Sequence, residues 1–186
     1  MAEHSEAKNL DSQVLNSPQA QAQVDTRHFL PREAYQAASV PESERQAARA
    51  VIVPHHGPAM GLAARAIAGL AHPLPVTVIL LAPNHTAAGP RVATTDAAFL
   101  TWDGPVRAQT EIVSALVSQG LASPAGGLFE TEHSAGAVMP LVARYLPGAA
   151  VVPLLFQKGV PLGDALRVLE AALALAGPRT ATLVIA

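Results

Sequence analysis

Histidine follows two short apolar runs of this sequence, in each case just after a proline. The first run ends in Pro54-His55-His56-Gly57 and the second in Pro83-Asn84-His85. A single loop histidine is usually plain polar surface, but two at matched positions favour a binding site. Neutral imidazole is a common protein ligand for Zn, Fe, Cu and Ni ions. If the two runs are neighbouring parallel strands, their carboxyl ends meet at one sheet edge, and His55 and His85 come within reach of one metal ion.

A third segment able to do chemistry is Glu130-Thr131-Glu132-His133-Ser134, which directly precedes a helical pattern. Acidic groups are favoured at the start of a helix, so the segment is equally consistent with an acidic cap and with part of a site. A neutral histidine here can bind a metal or accept a proton, and we predict both a ligand role and a catalytic role for His133. Glu130 and Glu132 are predicted to support the ligands or to supply a further one.

The remaining histidines are predicted to have lesser roles. His56 adjoins His55 and is expected to point elsewhere, toward the surface or the surroundings of the ligands. His4, His28 and His72 lie away from the predicted strand ends and are expected to be solvated or structural.

The elements that must position these residues follow from the apolar pattern. Continuous apolar runs predict strands buried on both faces, at residues 50–53, 76–82, 149–156 and 180–186. Apolar residues at helical spacing lie between them, at residues 62–70, 112–117, 134–146 and 162–173. Strands that alternate with helices predict an α/β fold, in which a mainly parallel or mixed sheet carries helices on both faces.

Three parts of this pattern are less regular. Pro153 argues against a fully paired central position for its strand, or marks a bulge there. Pro140 predicts a kink in the helix over residues 134–146. Residues 91–102 are mixed in character and predict an additional strand or a hairpin.

Composition bounds the class of protein. Among 186 residues, half are hydrophobic, which predicts a single domain over residues 27–186 after a flexible N-terminal arm over residues 1–26. A net charge of -2 argues against nucleic-acid binding. No apolar run has the roughly 20 residues that span a bilayer, and no signal-peptide pattern is present, so we expect a cytoplasmic protein without a membrane partner. Cysteine is absent, which leaves His, Asp and Glu as the strong metal ligands.

Short motifs in a consistent order carry a resemblance to a known family. They are Val53-Pro54-His55-x-Gly57 with Gly61, Leu81-Ala82-Pro83-Asn84-His85-Thr86, Trp102-Asp103-Gly104-Pro105-Val106, Glu132-His133-Ser134 with Met139-Pro140, and Val151-Val152-Pro153-Leu154. Over residues 50–186 the sequence resembles the Memo family, which includes the bacterial and archaeal members called AmmeMemoRadiSam system protein B. Each piece is short, and the resemblance depends on their order and spacing together.

The resemblance implies a fold related to the class III extradiol dioxygenases, whose non-heme iron is bound by two histidines and a carboxylate. His55 and His85 would occupy the two histidine positions, and His133 would line the same cavity. Iron or copper is then the expected metal, with zinc as the alternative. The implied partners are a small molecule or peptide in the cleft, and radical SAM and AMMECR1-like proteins.

The sequence departs from the family pattern at three places. His56-Gly57-Pro58 replaces the usual Ala-Gly-aromatic, and Ala135-Gly136 replaces the usual Ile-Glu, which removes a carboxylate. The chain stops at Ala186, whereas family members continue into a Ser-(Ser/Thr)-Asp-x-Ser-His-like segment that carries the remaining ligand position. We therefore expect the domain to be C-terminally truncated and its site to be incomplete.

Three functions compete on these residues. The first is a metal-dependent oxidoreductase that resembles a dioxygenase, in which two histidines leave positions on Fe(II) open for substrate and dioxygen. The second is a zinc-dependent hydrolase, in which the metal activates water and a glutamate acts as the base. The third is a non-catalytic module that binds a peptide or small molecule.

Overall fold

A six-stranded sheet organises the computed structural model, which describes residues 22–71 and 75–186. The strands of the described residues are β1 Gln23–Asp25, β2 Ala50–Val53, β3 Thr77–Asn84, β4 Val92–Thr94, β5 Ala98–Leu100, β6 Ser123–Pro124, β7 Ala150–Gln157 and β8 Thr180–Ile185. The order in the main sheet is β2-β8-β3-β7-β4-β6, and its neighbours are parallel except for the antiparallel pair β4 and β7. β1 and β5 form a separate parallel pair.

Helices cover both faces of the main sheet. Those of the described residues are α1 Arg32–Gln36, α2 Met60–Gly69, α3 Thr110–Ser118, α4 Gly126–Phe129, α5 His133–Gly136, α6 Met139–Tyr145 and α7 Leu162–Ala176, with two short 3-10 helices at Glu42–Glu44 and Gly57–Ala59. Alternate residues of β3 enter different cores: Val78 and Leu80 pack in the core with α2 and α6, and Ile79 packs in the core with α3 and α7. The predicted α/β fold class with a mixed sheet is confirmed.

The four strands predicted from apolar runs correspond to β2, β3, β7 and β8, with ends that differ by at most two residues. None of the helices in the described residues combines the length and the hydropathy needed to cross a bilayer. Residues 91–102 form two strands in different sheets, since β4 pairs with β7 and β5 pairs with β1. The additional strand predicted there is confirmed, and two strands form instead of one. The alternative of a hairpin is wrong, because each strand pairs with a strand more distant in the sequence.

The helix predicted over residues 134–146 is two helices, α5 and α6, rather than one kinked helix. Pro140 lies in the first turn of α6, where its missing N–H has no intrahelical partner to lose. The proline therefore begins a new helix instead of bending an existing one. This break turns α5 into a separate short element at the sheet edge.

Pro153 lies in an interior strand that is not fully paired at that position, as the proline predicts. β7 pairs with β3 along its length, but with β4 only over residues 154–156. Val151 donates its N–H to Arg107 O on the side away from β3. Pro153 lies two residues further on, so its nitrogen faces this same side. The pairing with β4 begins only at Leu154, so no hydrogen bond of the sheet is lost at the proline nitrogen. The Pro153 carbonyl accepts a hydrogen bond from Thr94 Oγ1 at 2.8 Å.

Most of the predicted N-terminal arm, residues 1–26, lies outside the described residues. Within the described part, Gln23–Asp25 forms β1, and Thr26 donates its hydroxyl to Leu100 O at 2.7 Å. His4 and His72, which the sequence predicts to be solvated or structural, lie outside the described residues. The division at residue 26 stays a prediction.

The hydroxyl groups of two buried tyrosines form hydrogen bonds between the segment before β2 and the region of α5 and α6, and we predict the loss of stability when each hydroxyl is removed. The Tyr145 hydroxyl accepts a hydrogen bond from Val40 N and donates one to Ala38 O, both at 3.0 Å. Tyr145→Phe leaves both buried backbone groups unpaired and should lower the free energy of unfolding by about 2 kcal/mol. Tyr35 makes one such bond, to Ala137 O, so Tyr35→Phe should cost about 1 kcal/mol. Urea unfolding of both variants measures this, and a Tyr35→Phe cost equal to or above that of Tyr145→Phe would contradict it.

Candidate metal centre

Three strand ends build one edge of the main sheet, and two of them carry the predicted histidines. β2 and β3 are not neighbours, because β8 lies between them. The assumption that the two strands before the histidines are neighbours in the sheet is therefore wrong. Apolar runs predict where strands lie in the sequence but not their order in the sheet. The rings still meet, because the segments after β2 and β3 turn over the end of β8. His55 and His85 have ring centroids 5.1 Å apart.

Four imidazole rings cluster at this edge. The His133 ring lies 5.1 Å from the His55 ring and 4.9 Å from the His85 ring, between centroids. The His56 ring lies 4.1 Å from the His55 ring. His55, His85 and His133 thus form a nearly equilateral triangle. Three imidazoles on a common ion, with metal–nitrogen distances of about 2.1 Å, have centroids roughly 4.5–5.5 Å apart, so the ring spacing is that of a single metal site. The ligand atoms of His55 and His85 lie in two separate groups that share His133, so a ring must turn for all three to bind the ion.

His55 is the most constrained of these rings. It is 2% exposed, and its Nδ1 lies 3.1 Å from the backbone oxygen of Ala186. A carbonyl oxygen can only accept, so Nδ1 donates and Nε2 carries the lone pair of a neutral ring. Burial lowers the pKa of His55, and the neighbouring histidines lower it further against the raising effect of the Ala186 bond. The buried Nε2 has no hydrogen-bond partner among the described residues, so its lone pair is free to bind a metal ion.

Glu132 orients the second ring. Its carboxylate is fully buried and accepts hydrogen bonds from His85 Nδ1 at 3.0 Å and from His85 N at 2.6 Å. It also accepts from Ser134 N at 2.9 Å and so caps α5. Burial raises the pKa of the Glu132 carboxyl, but the bonds from His85 and Ser134 outweigh burial and bring it below its usual value. When His85 donates its Nδ1–H in a hydrogen bond to this carboxylate, Nε2 is left to bind a metal, an arrangement common behind metal-bound histidines.

His133 reaches the cluster because α5 is fastened to the end of β3. Ser134 donates its hydroxyl to Pro83 O at 2.7 Å, next to the bonds between Glu132 and His85. The side chain of His133 remains 44% exposed, with Nδ1 3.6 Å from Glu132 Oε1. The ring can therefore meet both a metal and a solvent-borne substrate.

The sequence predictions for the acidic and flanking residues have different outcomes in space. Two groups have ligand atoms within 4.8 Å of one another, His55 with His56 and His133, and His85 with Glu132 and His133. Neither group includes Glu130, which is exposed at the C-terminal cap of α4. The His56 side chain is exposed, as the sequence predicts, but its ring lies beside the His55 ring instead of pointing away from it, because the 3-10 helix that starts at Gly57 turns the chain directly after it. His28 contacts the Phe29 ring, with centroids 4.1 Å apart.

An apolar groove of about 580 Å³ adjoins the cluster, between the ends of β3, β7 and β8. Leu81, Phe156 and Val184 contribute to its wall, and His85 lines it as well. Lys158 is the cationic side chain of this lining. Sequence reasoning missed the groove, and it also missed the Ala186 carbonyl that fixes His55. Backbone oxygens occur at every residue, so no sequence signal could have identified that one.

Comparison with protein families identifies the family of this chain. A family model described as Memo-like protein matches residues 20–164, which is more than half of the chain. The matched range contains all four histidines of the cluster and Glu132. Comparison with curated proteins gives no significant match.

Proposed function

The chain belongs to the Memo-like protein family, and from that premise we propose that it binds one redox-active metal ion, iron or copper, through His55, His85 and His133. The observation that carries the proposal is the buried Nε2 of His55, which has no partner among the described residues and belongs to a ring next to two other imidazoles. Burying an unpaired polar atom costs free energy unless a ligand satisfies it. A bound metal ion would satisfy this nitrogen, because His55, His85 and His133 can bind the same ion through their ring nitrogens.

The donor set supports a borderline transition metal. Imidazole suits Zn, Cu, Fe and Ni, whereas Mg, Ca and Mn prefer oxygen ligands. Burial keeps His55 neutral, and the Glu132 carboxylate holds His85 with one nitrogen directed away from itself. Iron or copper, when bound, supplies one-electron redox chemistry to the site.

The side chains of the chain have separate tasks in the proposed reaction. His55 and His85 hold the metal and Glu132 orients His85. His133 is half exposed at the start of α5, so it either completes the ligand set of the metal or, when it is not bound to the metal, accepts a proton from the substrate. The substrate is a small molecule with an apolar body, because the groove beside His85 has the volume and lining of a small-molecule pocket. Lys158 would attract an anionic group on it. Radical SAM and AMMECR1-like proteins are the partners we propose on the family resemblance alone.

The geometry favours redox chemistry over zinc-dependent hydrolysis. A hydrolase of this kind needs a carboxylate that can take a proton from water. Glu132 is fully buried, and its oxygens already accept three hydrogen bonds. The exposed Glu130 belongs to neither of the groups that could hold a metal. A free carboxylate base for water is therefore missing from the described residues of the cluster.

Metal titration of the chelator-stripped protein tests the proposal. We expect one Cu(II) or Fe(II) ion per chain with a Kd below about 1 µM, since three or more protein ligands give large binding free energies. Dioxygen consumption by the loaded protein with ascorbate or a catechol as reductant tests the redox activity. Failure of Cu(II), Fe(II) and Zn(II) to bind at micromolar concentration would overturn metal binding. Binding of zinc alone, with turnover of esters or amides, would establish the hydrolase instead.

A further inference from the structure

His56 has a position that the proposed three-histidine centre does not use. Its ligand atom lies within 4.8 Å of ligand atoms of both His55 and His133. Its ring is 4.1 Å from the His55 ring and 6.3 Å from the His133 ring, between centroids. Adjacent residues of an extended chain normally point to opposite sides. This pair therefore needs a local reason to share one side.

The backbone supplies that reason. The chain leaves the sheet at Pro54, and the His55 ring is held inward by the Ala186 carbonyl. His56 has an extended backbone, with φ -93° and ψ 144°, and is followed at once by the 3-10 helix Gly57–Ala59. Ala59 donates its N–H to His56 O at 2.9 Å, which fixes this turn against His56. The turn keeps the exposed His56 ring on the side of the cluster that His55 and His133 occupy. His85 belongs to the other group of ligand atoms, with His133 and Glu132, so His56 or His85 must turn for all four rings to bind one ion.

The carboxylate near the cluster is already engaged. Glu132 could in principle complete a group with His85 and His133. Its two oxygens, however, accept bonds from the His85 ring and from the backbone N–H groups of His85 and Ser134. Withdrawing an oxygen toward a metal would leave buried donors unpaired, at a cost of about 1–3 kcal/mol for each. The groups free to bind an ion are therefore imidazoles.

We infer that His56 is a fourth imidazole donor, so that the metal centre of this chain is built from His55, His56, His85 and His133 without a carboxylate ligand. This inference rests on the metal site proposed above and specifies its donor set. Four nitrogen donors favour Cu(II) over Fe(II) and Mn(II), because affinity for nitrogen sites rises along that series to copper. They also leave fewer open positions on the ion than the two-histidine, one-carboxylate arrangement of non-heme iron oxygenases.

Cu(II) binding by wild type, His56→Ala and His28→Ala tests the inference. His28 is an exposed histidine whose ring contacts Phe29 outside the cluster, so His28→Ala is the matched control. We expect His56→Ala to weaken Cu(II) binding by at least about 10-fold in chelator competition, a loss seen even when residues that merely orient ligands are removed. The nitrogen splitting in the electron paramagnetic resonance spectrum should show one nitrogen fewer than in wild type. His28→Ala should leave both readouts unchanged.

The possible outcomes separate the two proposals. Wild-type affinity and an unchanged nitrogen count in His56→Ala would overturn the fourth ligand and leave the three-histidine site in place. Absence of Cu(II), Fe(II) and Zn(II) binding by wild type would overturn the proposed function itself. Thermal unfolding of the metal-free proteins shows whether His56→Ala is folded, and we expect the same midpoint as wild type because the side chain is exposed. A spectrum that loses a nitrogen at an unchanged midpoint supports ligation.

Discussion

Replacing His55 and His85 together with alanine is expected to abolish tight metal binding. Structural zinc sites with four protein ligands bind with apparent free energies of about 10–16 kcal/mol, or roughly 3 kcal/mol for each ligand. Loss of two ligands should therefore weaken binding on the order of 10⁴-fold. Chelator competition with Cu(II) and Zn(II) measures the change. The effect should be the largest of any substitution in the cluster, because the rings of His55 and His85 are held in place by hydrogen bonds from their Nδ1 atoms to Ala186 O and to the Glu132 carboxylate.

Controls separate ligand loss from unfolding in this experiment. His55 is 2% exposed, so His55→Ala also opens a cavity beneath the cluster. His55→Gln retains most of the volume and should lose metal affinity with a smaller change in unfolding free energy. His28→Ala removes a histidine outside the cluster and should bind metal like wild type. Wild-type affinity in a folded double variant would contradict the assignment of both ligands.

Glu132→Ala is expected to weaken both the fold and the metal site. The substitution leaves the buried N–H of Ser134 and the N–H of His85 without an acceptor, and it frees the His85 ring. We expect the free energy of unfolding to fall by about 2–4 kcal/mol, because removing the acceptor of several buried donors costs more than one hydrogen bond. Metal affinity should fall about 10–100-fold, as for other carboxylates that orient a ligating histidine. Urea unfolding and chelator competition measure the two effects.

Glu130 offers a matched control two residues away. Glu130→Ala removes an exposed carboxylate from the same segment and should change stability by less than about 0.5 kcal/mol. Glu132→Gln keeps the shape but places one amide N–H₂ against a backbone donor, so it should fall between wild type and Glu132→Ala. Equal effects of the Glu130 and Glu132 substitutions would show that burial and hydrogen bonding at Glu132 are unimportant.

The lowered pKa of Glu132 also predicts a pH dependence of the metal-free protein. In the unfolded chain this carboxyl takes up a proton near its ordinary pKa of 4.5, whereas in the folded state it resists protonation. Its contribution to stability is therefore present above about pH 4.5 and is lost as the pH falls through the lower folded value. Unfolding measured between pH 3 and 7 should show a shallower acid loss in Glu132→Gln than in wild type. Identical slopes would contradict it.

Local pattern was enough for much of the fold. The strands β2, β3, β7 and β8 were predictable because each is a continuous apolar run, and burial on both faces leaves no alternation in such a run. Prediction failed where partners are distant in sequence. β4 and β5 belong to different sheets instead of forming a hairpin, and Pro140 lies in the first turn of a new helix instead of kinking a longer one. In both cases the local sequence is compatible with either structure, and contacts with distant residues decide between them.

The histidines at the strand ends were determined by the sequence itself. Each of these histidines follows an apolar run and a proline, a pattern that predicts a strand end, so His55 and His85 could be placed at the sheet edge without coordinates. β2 does end directly before Pro54, whereas β3 continues through Pro83 to Asn84, the residue before His85. The segment around His133 could also be recognised as a helix start from local sequence, because acidic residues directly precede a helical pattern.

Only the tertiary structure decided how these residues meet. β8 inserts between β2 and β3, the carbonyl of Ala186 sets the tautomer of His55, and Glu132 turns its carboxylate onto His85 instead of outward as a base. The turn after His56 brings a fourth ring to the cluster. Strand order, backbone acceptors and side-chain direction arise from contacts between residues far apart in the chain, and the local physics of a sequence segment does not contain them.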